Sequence, residues 1–473
     1  MEPEADGLPP SRRWPAIVVL SIGIVLAVVD TSIANVALPT IGRELHTDAA
    51  LTIWVVNAFQ IGVVITLLPF SALGDSIGYR RVYSGGLAVF TLGSLACALS
   101  HSLPQLIASR AFQGIGAAGV MSVAPALFRN IFPNRLLGQA LGLSALVVAS
   151  SSAAGPTIGG AILAVLPWPW LFAVNVPLGI LDFLLAPRLL PSKTGHGHPF
   201  DVPSALLSGP AIALLIVALD GFAHRNPPLV TALLLAVSAV LLYVFVRRQV
   251  ALEHPMLRLE LFRIERFSLA AATSLGSFTA QGLSVVALPF LYQVAFGYTP
   301  LAAGLLLTPW PLTIVAIAPL AGYLADRYPP PLLATGGLAV FAGGLALLAL
   351  LPTHPTTADI VWRSIVCGAG FGFFQAPNNR ELMGSAPRIY SGNASGILAT
   401  VRITGQSLGA AIVAVVLGTA GASLLTHSLH GSTEFEAPLR LALWIASAFA
   451  GTAALVSALR LRRATSFPNP APL

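Results

Sequence analysis

The sequence predicts an all-α membrane protein of fourteen transmembrane helices, built as two six-helix bundles with two helices inserted between them. Three observations carry this reading: the composition, the length of the apolar runs, and short patterns that recur in the second half. Hydrophobic residues make up 56% of the 473-residue chain and charged residues only 9%, against roughly 25% charged in an ordinary soluble protein. So few charges cannot clothe a soluble surface of this size, so the main solvent must be lipid. Disordered, collagen-like and disulfide-scaffold chains are excluded by the same figures. The formal net charge of +7 does not point to nucleic acid, because Lys and Arg occur at most in pairs and the pairs flank apolar runs.

A helix needs about 20 apolar residues to cross the hydrocarbon. Runs of that length fall at approximately 15–36, 51–72, 80–100, 104–126, 137–165, 169–190, 203–221, 228–247, 267–293, 300–323, 331–352, 360–380, 396–424 and 438–460. Shorter segments of alternating polarity, as a β-barrel would need, are absent. The first run follows Arg12 and Arg13 as a signal peptide would, but its length and Asp30 mark it as a retained helix. With the N-terminus inside, every basic residue between spans lies on the cytoplasmic side except Arg43, Arg225, Arg363 and Arg440. A miscounted helix would invert the later loops and spoil that asymmetry. Both termini are therefore expected in the cytoplasm, with the chain in a bacterial inner membrane.

The repeat divides the chain. Ser71-Ala-Leu-Gly-Asp75-Ser-Ile-Gly-Tyr-Arg80-Arg81 follows span 2, and Gly322-Tyr-Leu-Ala-Asp326-Arg327-Tyr328 follows span 10. Phe112-Gln-Gly-Ile-Gly116 in span 4 has a counterpart in Gly370-Phe-Gly-Phe-Phe-Gln375 of span 12. This gives an N-terminal bundle over 1–190, two inserted helices and a linker over 191–266, and a C-terminal bundle over 267–473. Repeated halves are a mark of transporters, in which one half rocks against the other.

Four patterns, in order and on the appropriate helices, make the chain resemble the major facilitator superfamily, and within it the fourteen-helix drug:proton antiporters of the multidrug efflux type. They are Asp30-Thr-Ser-Ile-Ala-Asn35-Val-Ala-Leu-Pro39; Leu73-Gly-Asp75-x-x-Gly78-x-Arg80-Arg81; Arg110-x-x-Gln113-Gly114-x-Gly116; and Gly155-Pro156-x-x-Gly159-Gly160. A fifth, Trp170-Leu-Phe-x-x-Asn175-Val-Pro177-x-Gly179, opens span 6. Ser71 and Ser76 stand where the family pattern has a Gly and a basic residue, and Ser151 where the antiporter pattern has its leading Gly. The resemblance implies export of hydrophobic or cationic drugs in exchange for protons, with Arg110 in proton coupling and Gly155, Pro156, Gly159 and Gly160 as the antiporter pattern.

The residues themselves support several of these roles. An Asp in mid-span costs roughly 2.5–3.5 kcal/mol on insertion scales, and burial disfavours its charged form. Asp30 is accordingly the expected proton acceptor, deprotonated when it attracts a cation. The competing reading is a structural Asp near the outer interface, held by Thr31 or Asn35. Arg110, six residues into span 4, needs an acidic or carbonyl partner, and otherwise snorkels to the outer headgroups. Asp75, Gly78, Arg80 and Arg81, with Asp326 and Arg327 in the second half, suit a conformational gate whose bridges exist in one rocking state. The competing role is that of ordinary loop charges.

Asn35, Trp54, Asn57, Phe59, Gln60, Gln113, Gln281, Phe374 and Gln375 are candidate substrate contacts, because amides among aromatic faces suit bulky amphipathic molecules. No second mid-membrane acid stands out beyond span 8, so monovalent or neutral substrates are expected. Cys97 and Cys367 read as small buried hydrophobes. No nucleotide-binding loop, nucleophile arrangement or metal-ligand spacing appears, and His196 and His198 are an isolated pair. The expected protein is a monomer in the lipid bilayer, handling a small molecule and protons, with no cofactor, metal, nucleic acid or enzymatic activity. Two alternatives share the fold: a proton symporter importing a small metabolite, and a non-transporting membrane sensor.

Overall fold

A computed structural model describes residues 7–133, 136–192, 200–223, 227–252, 255, 257–387, 390–419 and 433–464. Among them are fourteen long helices and no strand. They are α1 (Pro10–Glu44), α2 (Ala49–Ile77), α3 (Tyr79–Ala98), α4 (Leu103–Ile131), α5 (Leu137–Val165), α6 (Trp170–Leu189) and α7 (Val202–Ala223). The others are α8 (Pro228–Ala251), α9 (Glu265–Ala295), α10 (Pro300–Ala325), α11 (Pro330–Ala349), α12 (Thr357–Ser385), α13 (Ser391–Thr419) and α14 (Thr433–Ala464). Each overlaps one predicted span. Eleven are long and apolar enough to cross a membrane by length and composition. Val202–Ala218 is apolar but shorter, while α3 and α12 carry polar ends with Arg80, Arg81, Arg363 and Arg380.

The face at which α1 begins is called here the terminal face; the other is the far face. The turn from α2 to α3 depends on Gly78, whose φ of 100° and ψ of 136° suit glycine alone. Close packing depends on small residues too. A Cβ on Gly114 of α4 would lie 2.1 Å from the Phe59 carbonyl of α2, and one on Gly116 would lie 2.1 Å from the Phe90 nitrogen of α3. The second half repeats the arrangement: Gly370 of α12 meets the Phe341 nitrogen of α11 at 2.4 Å in the same construction. Without a hydrophobic force between helices in lipid, such close backbone approach is a main source of cohesion.

Helices α1 to α6 pack among themselves, with α4 against α2 and α3, and α1 against α5 and α6. In the last six, α9 packs on α13 and α14, and α11 on α12 and α14. The two sets meet along α5–α10, α2–α13 and α1–α9. The inserted pair sits to the side, α7 touching both α2 and α13. Helix α8 turns Leu229, Leu233, Val240 and Val250 outward, each more than half exposed, as lipid-facing side chains should be.

Several contacts between the two sets lie toward the far face. Helix α9 ends in a π-helical turn, Leu291–Ala295, from which Gln293 donates 2.8 Å to the Val36 carbonyl of α1. The Thr157 and Thr308 hydroxyls are 2.6 Å apart across α5 and α10. A Cβ on Gly304 would stand 2.3 Å from the Pro156 carbonyl, and one on Gly160 2.7 Å from the Pro300 carbonyl. Pro156 and Gly160 of the predicted pattern thus lie where the two sets touch, whereas Gly155 and Gly159 pack within the first set, against Ser32 and Ile33 of α1.

Candidate functional site

The centre of α1 carries Asp30, 1% exposed. Its Oδ2 is ion-paired with Nη1 of Arg110 from α4. Its Oδ1 accepts from Gln113 Nε2 at 2.9 Å and from Asn175 Nδ2 of α6 at 2.8 Å. Gln113 follows Arg110 by three residues, so both stand on one face of α4, and its Oε1 accepts 2.6 Å from Arg110 Nη1. Arg110 Nε donates 3.0 Å to the Val55 carbonyl, and Gln113 Nε2 reaches Ser94 Oγ of α3 at 2.8 Å. The Phe59 ring lies 4.2 Å from the guanidinium carbon, a cation–π contact. A buried ion pair is tolerated when further hydrogen bonds satisfy its partners; groups from five helices hold this one, and Arg110 Nη2 alone of its nitrogens has no hydrogen-bond partner among the described residues. Thr31 and Asn35 bond to α1 carbonyls rather than to Asp30. Fully buried, Arg110 does not snorkel.

Between the two helix sets is a cavity of about 300 Å³, at the lower end of small-molecule sites. Of the predicted contacts, Asn35, Phe59, Gln60, Gln281 and Gln375 line it. A smaller annex of about 80 Å³, walled by Leu307, Trp310 and Ile314, shares Asn35, Ser152 and Gln281. The structure moves three other candidates elsewhere. Gln113 belongs to the Asp30 network, Phe374 packs on Phe371 at 5.7 Å, and Asn57 is buried with neither amide atom bonded. Trp54 also lies outside the cavity lining.

Asp30 itself does not line the cavity, although its neighbours Thr31 and Ser32 do. No described lining residue is acidic. The one charged residue there is Arg402 of α13, whose guanidinium carbon stands 5.5 Å from the Phe278 ring centroid.

Toward the terminal face the gate residues take partners other than those the sequence suggested. Asp75 accepts from the Tyr79 hydroxyl across the Gly78 turn, while Arg80 and Arg81 donate to the Pro187 and Ile77 carbonyls. Asp326 pairs with Arg380 of α12, and Arg327 lies over the Tyr323 ring at 4.3 Å. Two further polar clusters went unnoticed in the sequence. Asp182 of α6, fully buried, accepts 2.8 Å from the Tyr83 hydroxyl. Arg460 of α14 donates 2.8 Å to Glu381 and 3.0 Å to Asn378, both on α12. Each could have been flagged as a charge inside or beside an apolar run. Cys97 and Cys367 are buried and unpaired; His196 and His198 lie outside the described residues.

The sequence model of the Major Facilitator Superfamily matches residues 20–410. The chain belongs to that superfamily. The uncharacterized transporter YebQ of Escherichia coli (strain K12) is 49% identical over 98% of this chain and 99% of its own length. The riboflavin transporter RibZ of Clostridioides difficile (strain 630) is 31% identical, covering 85% of this chain and 87% of RibZ. The multidrug efflux pump LfrA of Mycolicibacterium smegmatis is likewise 31% identical, covering 87% of this chain and 81% of LfrA. Among solved structures, a bacterial homolog of the human lysosomal transporter Spinster, inward-facing, superposes with a TM-score of 0.68 at 15% identity, over 98% of this chain and 100% of its own. This superfamily member is therefore a multi-pass membrane transporter, and its fold serves passage of a small molecule rather than catalysis.

Proposed function

We propose that the chain is a proton-coupled antiporter that exports hydrophobic, amphipathic compounds across a bacterial inner membrane, with both termini cytoplasmic. The observation that carries the proposal is the buried Asp30–Arg110 pair, set one helix layer behind the central cavity. A carboxylate placed there can take a proton only by giving up part of its bond to Arg110. Protonation therefore changes which groups the guanidinium must satisfy, and with them the packing of α1 against α4. The 1–190 and 267–473 sets would rock about the α5–α10 and α1–α9 contacts, alternately closing the far and terminal faces. Asp75 with Tyr79, and Asp326 with Arg380, would latch or release the terminal face. The similarity to LfrA supports export.

The cationic part of the expected substrate range has no carboxylate to receive it among the described lining residues, so Asp30 acts on the proton and not directly on the cargo. A second reading, uptake of a small metabolite with protons, is favoured by the similarity to RibZ. One assay separates the two. Inverted vesicles are loaded with acid, and proton release is followed as a panel of lipophilic compounds is added, wild type beside Asp30→Asn. Release in the wild type and none in the variant is expected. Release in both would move the proton site away from Asp30, and substrate-driven proton flow in the opposite sense would establish the importer.

A further inference from the structure

We infer that Arg402 is the recognition point for an oxyanion on the transported molecule, so that the preferred cargo is an amphipathic organic anion rather than a lipophilic cation. This rests on the reading of the central cavity as the transport site. Arg402 lines that cavity and makes no hydrogen bond and no ion pair with any described residue; its guanidinium lies over the Phe278 ring. A guanidinium in a low-dielectric site is costly unless something pairs with it. No acid of a surrounding helix lines the cavity, and several have other partners: Asp30 with Arg110, Glu381 with Arg460, Asp326 with Arg380 and Asp75 with Tyr79. No described lining residue supplies the counter-charge, and an anionic occupant would.

The surroundings fit an oxyanion with an apolar body. Gln406 follows Arg402 by one helical turn and donates 3.1 Å to Gln281 Oε1, which orders two amides at the cavity wall. Gln375 and Asn379 are spaced alike on α12 and add donors from the facing side. The wall also carries Thr31, Ser32, Asn35 and Gln60, and its apolar part, through Phe59, Phe278 and Val285, runs on into the annex at Trp310. The planar guanidinium fork offers two parallel donors to a carboxylate, sulfonate or phosphate. The apolar body then extends toward the annex and the far face.

The test uses three probes with one aromatic body: 2-naphthoate, 2-naphthamide and 2-naphthylmethylammonium. Binding to the full chain in zwitterionic-lipid nanodiscs is measured against empty discs, for wild type, Arg402→Gln and Arg402→Lys. The wild type is expected to bind naphthoate at least ten-fold more tightly than the ammonium probe. Arg402→Gln should weaken naphthoate at least ten-fold and leave naphthamide within two-fold, with Arg402→Lys intermediate. A preference for the ammonium probe, no naphthoate binding, or naphthoate affinity indifferent to Arg402→Gln would overturn the inference. If Arg402→Gln does not fold, the ranking of the three probes on wild type and on Arg402→Lys decides. Loss of naphthoate binding when phosphatidylglycerol is added to the discs would assign the site to a lipid headgroup and remove the cargo claim. Binding needs no proton movement. An anion preference without proton exchange would thus sink the antiporter and spare this site, and proton exchange driven by the cation alone would do the reverse.

Discussion

If the far-face contacts are what hold one state of a rocking transporter, a wedge placed there must redistribute the states. Gly304 of α10 is the place for it, since its Cβ would stand 2.3 Å from the Pro156 carbonyl oxygen. Ordinary contact requires about 3.5 Å, so Gly304→Leu forces α5 and α10 apart by about 1 Å or more. Overpacking of this kind costs about 1–3 kcal/mol, and here the cost falls only on the state in which the two helices touch. The equilibrium should move toward a far-face-open state by about 5- to 150-fold. Asn35→Cys, on the far-face half of α1 and lining the cavity, reports the change through labelling by a membrane-impermeant maleimide in whole cells. The native Cys97 and Cys367 are buried and stay silent. Labelling should rise several-fold with Gly304→Leu and less with Gly304→Ala. Unchanged labelling of a Gly304→Leu protein that still melts cooperatively would mean that the α5–α10 contact does not separate, and the rocking axis argued above would be wrong.

Gly78→Ala should cost about 1–3 kcal/mol, because its φ of 100° is open to little besides glycine; thermal unfolding of the purified protein measures it. Tyr83→Phe leaves the buried Asp182 carboxyl without its hydroxyl donor and should cost about 1–3 kcal/mol by the same measurement. Asp326→Asn removes a surface ion pair with Arg380, so stability should change by less than about 1 kcal/mol; a transport rate lowered several-fold in vesicles would mark the pair as a latch. Partial burial pushes the Asp201 carboxyl up, but hydrogen bonds from Arg248 and Ser204 outweigh it, and the net shift is downward. Its support for the α7–α8 pair is thus fully present above the unfolded value, about 3.9, and lost as pH falls through the lower folded one. Melting temperature should fall as pH drops below about 4 in the wild type and more weakly in Asp201→Asn.

Spans and charges were legible in the sequence because each is a local property. Twenty apolar residues announce a helix wherever it packs, and Asp30 and Arg110 announce themselves by interrupting such runs. Partnership is not local. Asp30 and Arg110 are 80 residues apart, and Asp182 lies 99 residues from Tyr83, so only the packing of α1 on α4 and of α6 on α3 joins them. Asn175 was visible as an amide in the span 6 pattern, without any sign that it points at Asp30. The gate shows the same limit at short range. Asp75 next to two arginines in sequence reads as an ion-pair donor set, but the Gly78 turn sends Arg80 and Arg81 to carbonyls and leaves Tyr79 over the carboxylate. Arg402 was legible as a charge within a span; that it faces a cavity without acids depends on α13 meeting α2 and α9.

The Asp30–Arg110 pair and the central cavity are separate, and one side chain touches both. Phe59 lies over Arg110 at 4.2 Å on one side and lines the cavity on the other. Gln60, next in sequence, also lines the cavity and leaves its Oε1 unbonded. An occupant that presses on Phe59 alters the contact that steadies Arg110, and a proton on Asp30 alters the guanidinium that Phe59 covers. Spatial adjacency is a weak warrant for coupling unless two discrete arrangements exist; under the proposed mechanism the ion pair, intact or broken, would supply them. Phe59→Leu keeps an apolar wall and removes the π-face. It should leave naphthamide binding within about two-fold while changing the number of protons released per molecule exported or lowering the rate of exchange. If proton release keeps its wild-type rate and ratio in Phe59→Leu, the two sites communicate by another route, and the α1 backbone between Asp30 and Thr31 becomes the element to examine.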